Sequence, residues 1–282
     1  MDFDKVIRSR QNRFVVELCK LSDRKNREEK GEFRFDGIKL LDEAMKNELE
    51  LCAVALREDR AERLYRELSE RYGTQAWERV GRILVLSEEV FEKISEEKSP
   101  EGVISVAKYI DKFQKIVTIY NSADFFDMKN ERIVLLQSVR DPSNVGAIVR
   151  SAAAMGIDRL IISADCADIY HPKAVRGSMG TLFSQRIDRV TDLVEAIRGL
   201  RASGRRVFAA ALDDKALRLG EMPMQSGDCV VIGNEGHGLS DEIIKVCDGS
   251  VMIPMTARAE SLNAAVAASV LMWEFSKAGK AN

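Results

Sequence analysis

Two hydrophobic patterns alternate along the chain: short, mostly apolar runs, and longer stretches in which apolar residues recur every third or fourth position. The first kind predicts strands and the second amphipathic helices. In the N-terminal part, 32–35, 49–56, 82–86 and 103–107 read as strands, and 37–46, 60–72 and 88–95 as helices. Such alternation predicts a small three-layer α/β domain over residues 1–110. Residues 111–130 mix apolar and polar positions without a clean period and read as a linker and the entry to a second domain, 131–282. There 133–137, 159–163, 207–212, 229–232 and 251–253 are short, largely apolar strands, with helical patterns at 145–155, 191–201, 240–246 and 261–277. Near-continuous apolar strands between helices predict a parallel sheet covered on both faces.

Composition agrees with two soluble domains: 282 residues, 45% hydrophobic and 31% charged, are enough for separate cores. The formal net charge of -2 supplies no global positive field, so any affinity for nucleic acid must come from local patches. One such patch opens the chain, where Phe14, Val15, Leu18 and Leu21 recur at helical spacing among Arg8, Arg10, Arg13, Lys20, Arg24, Lys25 and Arg27. A basic amphipathic start fits an RNA contact and a merely solvated face equally well. Five scattered cysteines with no C-x-x-C pair point away from a metal or redox motif and toward a reducing compartment. With no apolar leader and no stretch approaching ~18 apolar residues, the expected setting is cytoplasmic, without a membrane partner.

Three segments carry candidate chemistry. Asp141-Pro142-Ser143-Asn144-Val145-Gly146 punctuates a strand and opens a helix, with Asn144 as a good N-cap. On that helix Val145, Ile148, Val149, Ala152 and Met155 share a core face, and Arg150 points away from it beside Gly146, Ala153 and Ala154. The second segment, Ile232-Gly233-Asn234-Glu235-Gly236-His237-Gly238-Leu239, has a G-x-x-G-x-G order unlike the dinucleotide fingerprint. Its glycines let backbone groups approach a ligand. In the third, Ile253-Pro254 ends a strand and Glu260-Ser261-Leu262-Asn263-Ala264-Ala265 opens the last helix. Ser261 reads as its N-cap, and Leu262, Val266, Val270 and Trp273 read as a core stripe.

Together, in this order, the segments resemble the three motifs of the SpoU (TrmH-like) family of RNA ribose 2′-O-methyltransferases, of the SPOUT class. The resemblance covers roughly 133–275 closely. It extends to a fourth stretch, His171 to Gly180, which offers Lys173 and Arg176 as phosphate contacts. It reaches more loosely to Asn12, 21–27 and Phe35-Asp36-Gly37, which look like the ribosomal-protein L30e-type RNA-binding domain found ahead of many SpoU enzymes. The family implies a parallel-sheet SPOUT domain with a deep trefoil knot, a homodimer, and S-adenosylmethionine as cofactor with no metal. Its motif positions make Asn144, Arg150, Glu235, Ser261 and Asn263 the catalytic constellation. Gly233, Asn234, Gly236, Ile253 and Leu262 become the cofactor contacts, and Arg8, Arg13, Lys20, Arg24, Lys173 and Arg176 the RNA contacts. Family proposals cast the arginine as a base, but a guanidinium with pKa above ~12 is seldom deprotonated. Polarising the 2′-oxygen suits Arg150 better. Ribosomal RNA is favoured over tRNA as substrate. A catalytically silent RNA-binding protein of ribosome assembly is the alternative, and a nucleotide-dependent oxidoreductase is opposed by the missing fingerprint.

Overall fold

Apolar runs become strands in the computed structural model, which describes residues 3, 5–110, 116–117, 128, 130–213, 215–221, 225, 227–234, 236–256 and 261–277. In chain order the first elements are β1 (Val6–Ile7), α1 (Arg13–Lys20), α2 (Arg24–Lys30), β2 (Glu32–Asp36), α3 (Ile38–Lys46), β3 (Leu51–Arg57), α4 (Ala61–Tyr72), α5 (Gln75–Glu78), β4 (Ile83–Leu86), α6 (Glu88–Ile94) and β5 (Val103–Lys108). There follow β6 (Ile116–Val117), β7 (Ile133–Leu136), α7 (Pro142–Ala154), β8 (Arg159–Ser163), α8 (Pro172–Ser178), a 3-10 turn (Thr181–Phe183), β9 (Arg186–Val190) and α9 (Leu193–Ala202). The chain continues through β10 (Val207–Ala210), β11 (Leu217–Arg218), β12 (Cys229–Ile232), α10 (Asp241–Val246), β13 (Gly249–Met252) and α11 (Ala264–Lys277). Two units result, Met1–Ile110 with Tyr170–Ser184, and Asp111–Ile169 with Gln185–Asn282.

The first unit holds a mixed five-stranded sheet in the order β1-β4-β3-β5-β2, with β5 antiparallel to both of its neighbours. Val15, Leu18 and Leu21 pack against Ala53, Ala55, Ile104 and Val106 of the sheet and Val90 and Phe91 of α6. The basic start is two helices, each with its own cap: the Asn12 side chain accepts from the Phe14 amide at 2.9 Å, and Asp23 accepts from the Lys25 amide at 2.8 Å. A side-chain cap contributes about 1 kcal/mol. Arg27 leaves the expected basic face altogether. It is 1% exposed and donates to the Leu21 and Ser22 carbonyls, both at 2.7 Å, so it joins the two helices. The segment Tyr170–Ser184 belongs to this unit through aromatic contacts, Tyr170 stacking on Tyr109 at 4.0 Å and packing on Phe33 at 4.7 Å.

In the second unit every strand pair of the sheet, ordered β11-β13-β10-β12-β7-β8-β9-β6, is parallel. Because side chains alternate along a strand, Ile133, Leu135, Val207, Cys229 and Val231 meet Ile197, Leu200 and Ile243 of α9 and α10. The intervening Val134, Leu136, Phe208, Val230 and Ile232 are buried too, and α7 and α11 contact each other, α11 also reaching β12. No apolar run marks β9, which enters the sheet through charge. Asp188 pairs with the buried Arg159, and Arg159 and Arg186 bind Glu131 at 2.5 and 2.8 Å. Partial burial would raise the Glu131 carboxyl, but these arginines outweigh it and hold it below its ordinary value.

Two caps and one stripe differ from expectation. Asp141 rather than Asn144 caps α7, accepting from the Ser143 amide at 2.8 Å with Pro142 in the first turn, which moves Asn144 into the helix as a buried residue. Helix α11 starts at Ala264, and Asn263, not Ser261, accepts from the Ala265 and Val266 amides at 2.9 and 3.3 Å. The core face of α11 is Ala264, Ala265, Ala268, Leu271, Met272 and Phe275. Val266, Val270 and Trp273 are 49%, 36% and 58% exposed, because small alanines permit the closer approach to neighbours and win the interior. Among the described residues no helix is long and apolar enough to cross a membrane.

Candidate active site

Parallel strands direct all their carboxyl ends to one edge, where loops can gather around a ligand. At that edge a cavity of about 510 Å³ is lined by Ala210, Ile232 and Met252 at the ends of β10, β12 and β13, and by Gly233, Asn234, Gly236, Ile253, Ser261 and Leu262 from the loops that follow. The glycine loop is closed by two backbone hydrogen bonds, Asn234 N–H to Gly238 O and Gly238 N–H to Asn234 O, both 3.0 Å. A side chain at 233 is impossible without rearrangement, since its Cβ would lie 2.4 Å from the Gly238 carbonyl carbon. Gly238 turns the chain with φ +67°.

The loop's donors are turned inward. Asn234 Oδ1 accepts from the Gly236 and His237 amides at 2.8 and 3.2 Å, and its Nδ2 donates to the Ser138 carbonyl at 2.8 Å. The amides of 236, 237 and 238 are therefore already used, leaving carbonyls as the loop's more available groups for a ligand's amino groups. Opposite β12, Gln137 clasps the end of the same loop. Its Nε2 donates to Ser240 Oγ and its Oε1 accepts from the Ser240 amide, both at 2.9 Å.

Neither Asn144 nor Arg150 lines the cavity, but one bond links their helix to it. Asn263 spends its Oδ1 on the α11 amides, which directs its Nδ2 to donate to Asn144 Oδ1 at 3.0 Å. A second link, Ser269 Oγ to Ser151 Oγ at 2.8 Å, joins the same two helices one turn and more along. Arg150 is exposed, and among the described residues its guanidinium has no hydrogen bond or ion pair. A cation left without a carboxylate partner is available to an anion. Glu235 lies outside the described residues.

Residues 131–273 match the model of the SpoU rRNA Methylase family, and residues 8–105 match the MRM3-like substrate binding domain. The chain belongs to the SpoU family. The 23S rRNA (guanosine(2553)-2′-O)-methyltransferase RlmP of Bacillus subtilis is 27% identical to this SpoU chain over 269 residues, 95% of this chain and 98% of that protein. The 23S rRNA (uridine(2479)-2′-O)-methyltransferase of Streptomyces viridochromogenes is 31% identical over 272 residues, 95% and 90% of the two. Among solved structures, the AdoMet-bound rRNA methyltransferase from Sinorhizobium meliloti is similar with a TM-score of 0.78 and 26% identity, covering 97% of each chain.

The six RNA-contact candidates of this SpoU chain all lie in the N-terminal unit, and most are engaged locally. Arg8 pairs with Glu58 at 3.1 Å, Arg13 with Glu17 at 3.0 Å and Arg24 with Glu28 at 2.7 Å, while Arg176 donates to the Glu96 carbonyl at 3.2 Å. Lys20 and Lys173 are exposed, and among the described residues their ammonium groups have no partner. Gln137 and Ser138 were not singled out from the sequence, although polar residues just past the carboxyl end of a buried parallel strand are a usable signal. Among the described residues no group of three or more His, Cys, Asp or Glu side chains could hold a metal ion.

Proposed function

We propose that this SpoU protein transfers a methyl group from S-adenosylmethionine to a ribose 2′-hydroxyl of ribosomal RNA, with transfer RNA the second choice. The observation that carries this reading is the cavity bounded by the Gly233 loop, Ile253 and Leu262, joined by the Asn263–Asn144 bond to the helix of Arg150, whose guanidinium is unpaired among the described residues. Its volume falls in the ~300–1,000 Å³ range of cofactor sites. Apolar side chains at 232, 253 and 262 suit an adenine ring, and the loop carbonyls suit amino and hydroxyl donors, so the residues fit the cofactor. When bound, it supplies an electrophilic sulfonium methyl group.

The chain's own task is the acceptor, because a sugar hydroxyl is a poor nucleophile at neutral pH. The Arg150 guanidinium binds the adjacent phosphate and polarises the 2′-oxygen, so that negative charge developing there is stabilised as the hydroxyl proton passes to solvent water. Asn144, held by Asn263, orients that oxygen, with Glu235 and Ser261 completing the constellation. The domain of residues 1–110, of L30e type, contacts RNA through Arg8, Arg13, Lys20 and Arg24, and Lys173 and Arg176 add phosphate contacts. Residues 131–282 form the catalytic domain, and 111–130 the linker. A cytoplasmic setting follows from a ribosomal substrate. The deep trefoil knot belongs to the same reading, supported by the return of α11 to α7 and β12 after the outlying β13.

A homodimer is also part of the proposal. Helix α11 is apolar almost all round, and no charged residue occurs from Ala264 to Trp273, which is the pattern of a helix buried on both faces. A second copy covers Val266, Val270 and Trp273. Trp273→Glu converts the dimer to monomer by light scattering if this is right, and leaves the mass unchanged if that face is simply solvated. The activity is tested with labelled S-adenosylmethionine and total rRNA or tRNA. Alkali-resistant label at one nucleotide of rRNA is the expected result. Label in tRNA alone overturns the substrate, and no label with no cofactor binding returns the silent RNA-binding alternative.

A further inference from the structure

Just past β7 the backbone takes a turn that a side chain ordinarily avoids. Ser138 has φ +55°, in the left-handed region, although it carries a Cβ. Three of its groups are held there. The Ser138 amide donates to Ser163 Oγ at 2.9 Å, its hydroxyl donates to Asp165 Oδ2 at 2.6 Å, and its carbonyl accepts from Asn234 Nδ2 at 2.8 Å. Ser163 Oγ in turn donates to Asp165 Oδ1 at 2.6 Å, so one carboxylate holds both Ser138, two residues past β7, and Ser163 at the end of β8. Arg140 faces the same carboxylate at 3.6 Å. Partial burial would raise the Asp165 carboxyl, but the two hydroxyl donors and Arg140 outweigh it and hold it below its ordinary value.

We propose that Asp165 is a positioning residue for the cofactor loop, acting by keeping Ser138 in its left-handed conformation so that the Ser138 carbonyl fixes the Asn234 amide. The inference rests on reading the cavity as the S-adenosylmethionine site. With Nδ2 committed to Ser138, the Asn234 side chain turns Oδ1 toward the Gly236 and His237 amides, and those two residues line the cavity. Asp165 itself does not line it. Its influence reaches the ligand only through Ser138 and Asn234. The same turn leads within three residues to Asp141, the cap of α7, so the carboxylate sits where the cofactor loop and the arginine helix are both anchored.

The full-length protein is titrated calorimetrically with S-adenosylhomocysteine, and melting temperatures are recorded alongside. Asp165→Ala binds about tenfold more weakly, the scale of one lost charge-assisted hydrogen bond. Asp165→Asn, which keeps the shape and one acceptor, falls between it and wild type. The decisive variant adds Ser138→Gly to Asp165→Ala. Glycine adopts positive φ without a carboxylate to hold it, so affinity returns to within about twofold of wild type. A merely structural aspartate gives no such rescue. Unchanged affinity in Asp165→Ala, or a double variant as weak as the single one, overturns the inference. Failure of the wild type to bind is a separate result that overturns the cavity reading itself and this inference with it.

Discussion

In the C-terminal unit all strand pairs are parallel and their carboxyl ends share one edge, whereas the N-terminal sheet sets β5 against both neighbours and divides its loops between two edges. The first arrangement gathers loops from β10, β12 and β13 around one cavity. The second spreads its charge over helices. There the cations are largely neutralised by acids one helical turn away, as in Arg13–Glu17, Arg24–Glu28 and Arg63–Glu67. Arg150 of the C-terminal unit has no such neighbour. The contrast is between paired charges, which add little field of their own, and a cation that has no hydrogen bond or ion pair among the described residues.

If that contrast is sound, Arg150→Ala is the most damaging single change. Single-turnover methyl transfer falls by about 100- to 1,000-fold, the scale for removing one group that stabilises developing charge. Arg150→Lys separates two roles, since activity that rises with the lysine titration would argue for a base. Next in size is Gly233→Ala, whose new Cβ meets the Gly238 backbone at 2.4 Å. It weakens S-adenosylhomocysteine binding by at least about tenfold in calorimetry, more than any one lost hydrogen bond of the loop.

These two sites were legible to different degrees, and for physical reasons. Arg150 and the glycine loop stand out because each breaks a pattern, a cation opposite a core face and three glycines after an apolar strand. The strands of the C-terminal sheet were legible where both faces are covered, as at 159–163, and β9 was not, because only Ile187 and Val190 are apolar there while Arg186 and Asp188 form ion pairs and Arg189 donates to the Ala167 carbonyl. The cap of α11 was assigned two residues early, since Ser261 and Asn263 are both good caps and only the amides of Ala265 and Val266, which donate to Asn263 Oδ1, distinguish them. For the same helix, an apolar stripe at correct spacing named the wrong face as core, because Val266, Val270 and Trp273 are exposed while Ala264, Ala265, Ala268, Leu271, Met272 and Phe275 are buried. Nothing local marks Asp165, whose partners lie 27 and two residues away.

Asn263 sharpens the comparison at a finer scale. Asn263→Asp keeps a good cap for α11 but cannot donate to Asn144, so the melting temperature holds while transfer falls about tenfold, the cost of one hydrogen bond between the cavity and the arginine helix. Equal losses of stability and turnover would mean that the residue acts only as a cap. The smallest effects belong to the N-terminal unit. Lys20→Ala lowers the slope of log RNA affinity against log salt by about one. Arg13→Ala changes it less, because Glu17 already neutralises that guanidinium. Equal changes at both positions would remove the distinction between paired and unpaired cations.

The central claim is that the carboxyl edge of the parallel sheet holds the cofactor beside the arginine helix. A crystal structure of the full-length protein with S-adenosylhomocysteine tests it most directly. The account predicts the adenosyl group in the cavity of about 510 Å³, between the Gly233 loop and the Ile253 and Leu262 side chains. Density for the ligand anywhere else, with that cavity filled by side chains or solvent, would contradict it.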